Sequence, residues 1–177
     1  MHRIGRISLS LLAAACLGAP ALAEDPATPE QAIARLLGQG LSHSHGRLRV
    51  KFTFQPFALV LRKGGAIEQL GGHSGDELDV QQDDRLFRDP TKVLADLQQQ
   101  VATEVKTKGD VVAVGFFSAA EIKLPSGRDS DAIQADLETA GGSCTTVFEP
   151  YQWIDDETPG FDAQIRTKRK GTIFPCP

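Results

Sequence analysis

The feature that most constrains this sequence is Val111–Phe117, which is apolar on both of its alternating sides. A strand with one wet face alternates apolar and polar residues, whereas a strand covered on both faces is apolar throughout. We therefore expect a central strand here, in a sheet that has protein packed on each side. Ala120, Ile122 and Leu124 alternate with polar residues directly afterwards, so the strand either continues or an edge strand follows.

The segment before this strand carries the clearest helix signal in the sequence. Asp89 can cap a helix, and Pro90 suits the first helical position because no hydrogen-bond donor is needed there. Apolar residues recur every four positions from Val93 to Val105, and Gly109 is a typical helix stop. This pattern predicts one long helix that lies across the sheet with its apolar stripe inward.

Two shorter patterns precede this helix. Thr28 and Gln31 have the spacing of a capping box, which predicts a short helix that ends at Gly38 and Gly40. Further on the apolar period changes to two, which predicts a strand bent at Pro56, then a glycine turn and a short return strand. The residues of this hairpin are Leu48, Val50, Phe52, Phe54 and Phe57–Leu61, the turn 63–65 and the return strand 66–70.

A second hairpin follows the central strand. Ile133, Ala135 and Leu137 alternate with polar residues up to a Gly-Gly pair, after which Cys144–Phe148 runs back. Beyond Pro150 the sequence has no clear period. Because the strands come in hairpins, the sheet is expected to be mainly antiparallel. The sequence thus predicts an α+β fold with a sheet of about five strands, one long helix packed on it, a short N-terminal helix, and an irregular C-terminal tail.

Met1–Ala23 has the order of a secretory signal peptide. Arg3 and Arg6 give a positive start, an apolar stretch follows, and Ala21-Leu22-Ala23 offers the small residues that signal peptidase accepts. The apolar stretch is shorter than the roughly 20 residues that cross a bilayer, so no transmembrane segment is expected. We expect a periplasmic or secreted protein, divided into 1–23 as signal peptide, 24–46 as leader and short helix, and 47–177 as a single α+β domain.

Removal of the signal peptide leaves two cysteines. Cys16 leaves with it, and Cys144 and Cys176 are expected to form a disulfide that pins the tail in an oxidising compartment. Closing a loop of about thirty residues stabilises the fold by about 3–4 kcal/mol in the chain-entropy model. The alternatives are a lipid anchor on Cys16, whose preceding alanines do not form a lipobox, and a free catalytic thiol on Cys176, which two prolines flank.

The charge of the chain excludes two classes of partner. The net charge is −4, and the loss of Arg3 and Arg6 makes the remaining chain more acidic. An acidic domain repels nucleic acid and anionic lipid, so neither is expected to bind. A protein or another component of the cell envelope is the partner class that we expect.

The sharpest candidate site is His43-Ser44-His45. On a strand, both imidazoles would point to the same side, and His73 follows in an acidic loop beside Asp76 and Glu77. Three imidazoles, or two and a carboxylate, form a zinc or copper site. A polar loop before the first strand is the alternative interpretation of the same residues.

Three other patterns lack an element of the motif that they resemble. Gly72–Gly75 fails the spacing of a serine-hydrolase elbow by one residue. The carboxylates of 76–84 do not follow the order of an EF-hand loop. Asp155–Glu157 could pair with Asp129 or Asp131 in a glycosidase-like site, but the sequence gives no separation between them. Because no catalytic motif is complete, a non-enzymatic role is favoured.

Tyr151 and Trp153 are notable because aromatic residues make up only 6% of the sequence. Trp, Tyr and Arg are typical anchors of protein interfaces, although the same residues also fold a tail back onto a sheet. The basic cluster that follows would suit an anionic partner. The predicted partner surface comprises Tyr151, Trp153, Arg166, Lys168, Arg169 and Lys170.

Four segments share one further pattern: Gln55–Ala58, the helix after Asp89-Pro90, Ser130–Ile133 and Val147–Tyr151. In their combination the chain resembles a group of small bacterial α+β proteins of unknown function. The resemblance spans 47–151, implies a single helix within an antiparallel sheet, and carries no activity.

The sequence therefore predicts an exported, non-enzymatic binding domain for an envelope or extracellular protein partner. The alternative is a metal-binding protein or metal-dependent enzyme that uses His43, His45 and His73.

Overall fold

The computed structural model describes residues 28–51, 53–72 and 89–176. The predicted signal peptide, the leader up to residue 27 and the acidic loop that contains His73 lie outside these ranges. Within them, two helices and seven strands are present. Their bounds are α1 Pro29–Lys51, β1 Phe57–Arg62, β2 Ile67–Gly71, α2 Pro90–Lys108, β3 Val111–Lys123, β4 Asp129–Thr139, β5 Cys144–Trp153, β6 Pro159–Phe161 and β7 Ile165–Lys168.

The seven strands belong to one antiparallel sheet. Its order is β2-β1-β3-β4-β5, and β6 and β7 pair one after the other along the outer side of β5. The α+β fold with a mainly antiparallel sheet is confirmed, and so are the hairpins β1–β2 and β4–β5. The expected strand count of about five was too low. The tail after Pro150 is not irregular throughout, since it contains β6 and β7. These strands of three and four residues are too short to show a period in the sequence.

β3 is the central strand, and both of its faces are covered as predicted. Ala113 and Phe117 belong to the core under α1, and Val114 and Phe116 belong to a second core under α2. The predicted continuation of the strand is also present, since β3 extends to Lys123. The fold therefore has three layers, with a helix on each face of the sheet rather than one long helix on one face. Within the ranges that the structure describes, neither helix has the length and apolar character of a membrane span.

α1 differs most from the prediction. It runs through to Lys51, so it does not end at Gly38 and Gly40, and no strand begins at Leu48. Its buried residues recur at three- and four-residue spacings, which is the period of a helix. Val50 is 72% exposed because a helix turns it about 200° away from Leu48. The buried positions are Ala32, Ile33, Leu36, Leu37, Leu41, Ser44 and Leu48.

Both predicted helix starts are confirmed. Oγ1 of Thr28 accepts the N–H of Gln31 at 3.2 Å, and Oε1 of Gln31 accepts the N–H of Thr28 at 3.2 Å. Oδ1 of Asp89 accepts the N–H of Thr91 at 3.0 Å, and Gly109 ends α2 in the left-handed region with a φ of 65°. Capping is local, which is why it can be read from sequence. The predicted boundary between residues 46 and 47, by contrast, falls inside α1.

Gly40 lets α1 lie close to the sheet. A Cβ at this position would lie 1.9 Å from Cζ of Phe117, whose ring fills the space under the helix. A Cβ at Gly38 would have nothing within 4 Å. Gly40 is therefore required by packing, whereas Gly38 only weakens the helix locally.

Arg62 connects α2 to the edge of the sheet. Its Nη2 lies 2.8 Å from Oε2 of Glu104 on α2, its Nη1 lies 2.9 Å from Oδ1 of Asp110, and it also pairs with Glu68 on β2. The hydrogen bond with Glu68 contributes most to a raised pKa of Arg62. Burial alone would raise the pKa of Glu104, but hydrogen bonds from Lys108 and Arg62 bring it below its ordinary value.

The predicted disulfide is confirmed. Cys144 at the start of β5 is bonded to Cys176 in the tail, and their Cα atoms lie 5.9 Å apart. The bond spans a sequence separation of 32 residues, which includes β6 and β7. It therefore fixes the end of the tail beside the turn between β4 and β5.

We expect Gly40→Ala to lower the free energy of unfolding by about 1–3 kcal/mol, because the added methyl group would overlap the ring of Phe117. Gly38→Ala is the matched control. It removes a helix-weakening glycine without a clash and should raise the free energy of unfolding by up to about 1 kcal/mol. Urea denaturation measures both, and equal effects would contradict the close approach of α1 to β3.

We expect Glu104→Gln to make the free energy of unfolding depend less on pH in the acid range. A carboxylate whose pKa is lowered in the folded state stabilises the fold above its unfolded-state pKa, and this stabilisation is lost as the pH falls through the folded-state value. The free energies of unfolding of the variant and the wild type should therefore differ near neutral pH and converge in acid. Urea midpoints across a pH series measure this, and a difference that stays constant with pH would disprove it.

Candidate functional site

His43 and His45 lie on α1 rather than on a strand, and this separates them. Residues two apart on a helix point about 200° apart, whereas on a strand they share a face. The His43 ring contacts Phe57 of β1 edge-on, with ring centroids 4.7 Å apart. The His45 ring reaches Glu149 of β5. The expectation that the two imidazoles point to the same side was therefore wrong.

The His45 cluster, which comprises His45, Glu149, Phe161 and Gln164, is a polar assembly at the C-terminal half of α1. Nε2 of His45 lies 2.5 Å from Oε2 of Glu149, and Nε2 of Gln164 donates to Oε1 of the same carboxylate at 3.1 Å. The imidazole stacks on the ring of Phe161, with centroids 3.9 Å apart and planes inclined by 27°. The Glu149 side chain is only 9% exposed. Both oxygens of a nearly buried carboxylate therefore have partners.

β5 and the strands outside it position this cluster. Glu149 lies between Val147 and Tyr151 on the face of β5 that contributes to the core under α1. The break between β6 and β7, residues 162–164, lies opposite Glu149. Such a break re-aims side chains that a continuous strand would hold in register, and here it directs Gln164 to the carboxylate.

The sequence carried no signal that Glu149, Phe161 and Gln164 form a cluster with His45. Glu149 is 104 residues from His45, and only the packing of α1 across the sheet brings the two together. The one available indication was an acid on an inward strand face, between Val147 and Tyr151. A carboxylate at such a position requires a hydrogen-bond partner.

The His45 cluster can hold an imidazole in one orientation. A carboxylate bonded to one ring nitrogen fixes the ring and its tautomer, as in histidines that transfer protons or bind metals. Nucleophilic catalysis would also need a Ser, Thr or Cys side chain at the ring, and none bonds to His45 in the part of the chain that the structure describes. The bonds that are present join α1 to β5 and the β6–β7 break to β5.

The predicted zinc or copper site at His43, His45 and His73 stays a prediction, because His73 lies outside the described residues. In residues 28–51, 53–72 and 89–176, no three His, Cys, Asp or Glu side chains come close enough to hold a metal ion. Burial lowers the pKa of His43, and nearby Arg47 lowers it further, so the neutral imidazole is favoured. Ser44 is fully buried, and its hydroxyl has no hydrogen-bond partner within those ranges.

The predicted partner surface divides into two parts at opposite ends of β5. Trp153 pairs with Pro159 at one end, and Lys168 pairs with Thr145 at the other. The intervening length of β5 corresponds to about 26 Å of strand. Trp153 and Lys168 therefore do not lie in one compact patch, and Arg166 pairs with Val147 between them.

Two residues of that surface are largely withdrawn from solvent. Tyr151 is 6% exposed and packs in the core under α1, and burial, followed by nearby Asp131, raises the pKa of its hydroxyl. Nη1 of Arg169 lies 3.2 Å from Oδ2 of Asp136, and the Arg169 side chain is 19% exposed. Trp153 is half-buried and meets Tyr151 edge-on. The exposed basic residues are Arg166, Lys168 and Lys170.

A cleft of about 240 Å³ lies at the Trp153 end of the sheet. Ile154 follows Trp153 and is 70% exposed. In the loop after it, Oδ1 of Asp155 accepts the N–H of Glu157 at 2.9 Å, and this bond contributes most to a lowered pKa of Asp155. A glycosidase acid needs a raised pKa, so Asp155 does not suit that role. Residues that line the cleft include Arg128, Asp129, Asp131, Tyr151, Trp153 and Asp162.

Comparison of the chain with protein-family models, with curated proteins and with solved structures finds no match. The resemblance to small bacterial α+β proteins therefore stays a prediction. A function has to be inferred from the residues of the chain itself.

We expect His45 and Glu149 to be energetically coupled. His45→Gln, Glu149→Gln and the double variant form a cycle whose coupling free energy should be about 1.5–3 kcal/mol, as for a hydrogen bond to a charged group. Urea denaturation of the four proteins measures it. The control cycle pairs His43→Gln with Glu149→Gln and should give a coupling near zero, because His43 contacts β1 instead. A similar coupling in both cycles would argue against the bond.

Proposed function

We propose that this chain is an exported, non-enzymatic binding domain, and that a protein partner from the envelope or the extracellular space docks at the Trp153 end. The Trp153 end comprises the cleft, Trp153, Ile154 and the loop 155–158. The observation that carries the proposal is the exposed Ile154 beside the half-buried Trp153, next to a cleft. Apolar and aromatic side chains within a polar rim are typical of the centre of a protein interface.

The charges around the Trp153 end favour a basic partner segment. Asp129, Asp131 and Asp162 line the cleft, and Asp155–Glu157 form the adjacent loop, while Arg128 is a basic residue in the lining. Negative potential attracts Lys and Arg side chains and speeds association at low ionic strength. A segment with an apolar residue between basic residues would match both the exposed Ile154 and the surrounding acids.

Export is supported by two independent features. The Cys144–Cys176 disulfide is of a kind that persists in oxidising compartments and is rare in the reducing cytosol. The sequence of Met1–Ala23 has the order of a signal peptide, although these residues lie outside the described ranges. Together, these two features support a periplasmic or secreted location.

A pair of surface substitutions tests the docking site. Ile154 is 70% exposed and Val50 is 72% exposed, so Ile154→Lys and Val50→Lys introduce the same charge at equal exposure. The chain would be immobilised and incubated with periplasmic or secreted fractions, and a captured protein would then be purified and titrated. We expect Ile154→Lys to raise the Kd at least about tenfold, because an apolar anchor that the partner buries on binding is lost, and Val50→Lys to leave the Kd unchanged.

Two further measurements separate the alternatives. If Lys168→Glu abolished binding of the captured protein and Ile154→Lys left that binding unchanged, the partner would dock at the basic end of β5. This result would contradict docking at the Trp153 end. Elemental analysis of the same preparation addresses the metal hypothesis, since one zinc or copper per chain would favour a metal-binding function at His43, His45 and His73.

A further inference from the structure

The final part of the described chain is a strap without helix or strand. This C-terminal strap, residues 169–176, follows β7 and contacts the face of β4 that is opposite α1. Arg169 pairs with Asp136 at its start, and Cys176 is bonded to Cys144 at its end. Between them, Phe174 is 8% exposed and belongs to the core under α2. The strap is therefore held at both ends and in the middle.

Glu138 of β4 is a buried acid whose partners come from the strap. Its side chain has no exposed surface, and its carboxylate accepts the N–H groups of Thr172, Ile173 and Phe174 at 2.8, 2.7 and 3.0 Å. Nη1 of Arg169 lies 3.5 Å from Oε1 of the same carboxylate. A buried carboxylate is tolerated only when it is hydrogen-bonded or paired. Glu138 and the strap therefore depend on each other.

Gly171 places the strap directly against the disulfide. A Cβ at this position would lie 1.8 Å from the carbonyl oxygen of Phe174 and 3.1 Å from Sγ of Cys144. The turn that directs three N–H groups to one carboxylate is thus packed on a disulfide sulfur. Any displacement of the cysteines would disturb this turn, so the hydrogen bonds to Glu138 depend on the disulfide.

We propose that the strap is a thiol-sensitive latch, closed over β4 while Cys144 and Cys176 are bonded and released when that bond is reduced. Three of its N–H groups bond to one side chain rather than to a neighbouring strand, so the strap lacks the ladder that stabilises the sheet. The disulfide keeps the strap at high effective concentration beside Glu138. Without the disulfide, water competes for both the N–H groups and the carboxylate, and the strap opens. Opening uncovers Asp136 and Glu138 and leaves β1 to β5 paired.

Opening consumes one molecule of a dithiol reductant. Both cysteines are half-buried, so a small thiolate can reach them. The thiolate attacks Sγ of Cys176 and displaces Sγ of Cys144, and the second thiol of the reductant then resolves the mixed disulfide. The reductant leaves as a disulfide, and the two cysteines have gained two electrons and two protons. Reoxidation closes the latch by the reverse exchange.

Hydrogen exchange of the full chain with and without a dithiol reductant tests the latch. On reduction, we expect the amides of Thr172, Ile173 and Phe174 to exchange at least about tenfold faster, while amides of β1 and β3 change less than about twofold. The double variant Cys144→Ser and Cys176→Ser should show the fast exchange without reductant and no further change with it. Glu138→Gln, with the disulfide intact, should speed up the same three amides.

Two results would overturn the proposal. The first is unchanged exchange at 172–174 after complete reduction, verified by counting free thiols, because the strap would then stay closed without the disulfide. The second is a loss of protection in every strand on reduction, because the disulfide would then hold the whole fold rather than the strap alone.

Discussion

The contact between Gly40 and the ring of Phe117 is the interaction on which the rest of the structure depends. A side chain at Gly40 would collide with that ring, so α1 reaches its position over β3 only because none is present. Phe117 in turn lies nearly parallel to Phe57 of β1, with ring centroids 5.0 Å apart and planes inclined by 8°. The depth at which α1 lies on this pair of rings brings His45 within hydrogen-bond distance of Glu149. One small residue near the middle of α1 thus influences the geometry of a polar cluster further along the helix, where it faces β5.

The parts of the fold that sequence could predict are those with a local cause. Caps at Thr28 and Asp89 follow from the side chain that satisfies the first N–H groups, and the central strand follows from an apolar run. The extent of α1 could not be predicted in this way. Gly40 has the residue type of a helix stop but acts as a packing residue, and Leu48 and Val50 are both apolar although one is buried and the other exposed. Only the tertiary contacts distinguish these cases.

In the candidate site, too, the sequence could indicate which residue types matter but not where the fold places them. His43 and His45 could be singled out from sequence because imidazoles are chemically versatile, but their directions depend on whether the backbone is a helix or a strand. Glu149 could not be singled out in this way, since its partner is distant in sequence. The Cys144–Cys176 pair could be predicted because these are the two cysteines that remain after the predicted signal peptide. The sequence predicted Tyr151 as part of a partner surface, whereas in the fold it belongs to the core under α1.

The outer edge of the sheet also influences how copies of this chain behave when they are crowded. A long, flat edge strand presents a row of N–H and C=O groups on which a neighbouring molecule can add a strand of its own. β5 is ten residues long, but β6 and β7 cover it as strands of three and four residues with a break between them. Pro159 removes one donor from this edge, and residues 162–164 interrupt it. The interrupted edge therefore gives an incoming strand little to extend, which protects the protein from fibre growth on this side of the sheet.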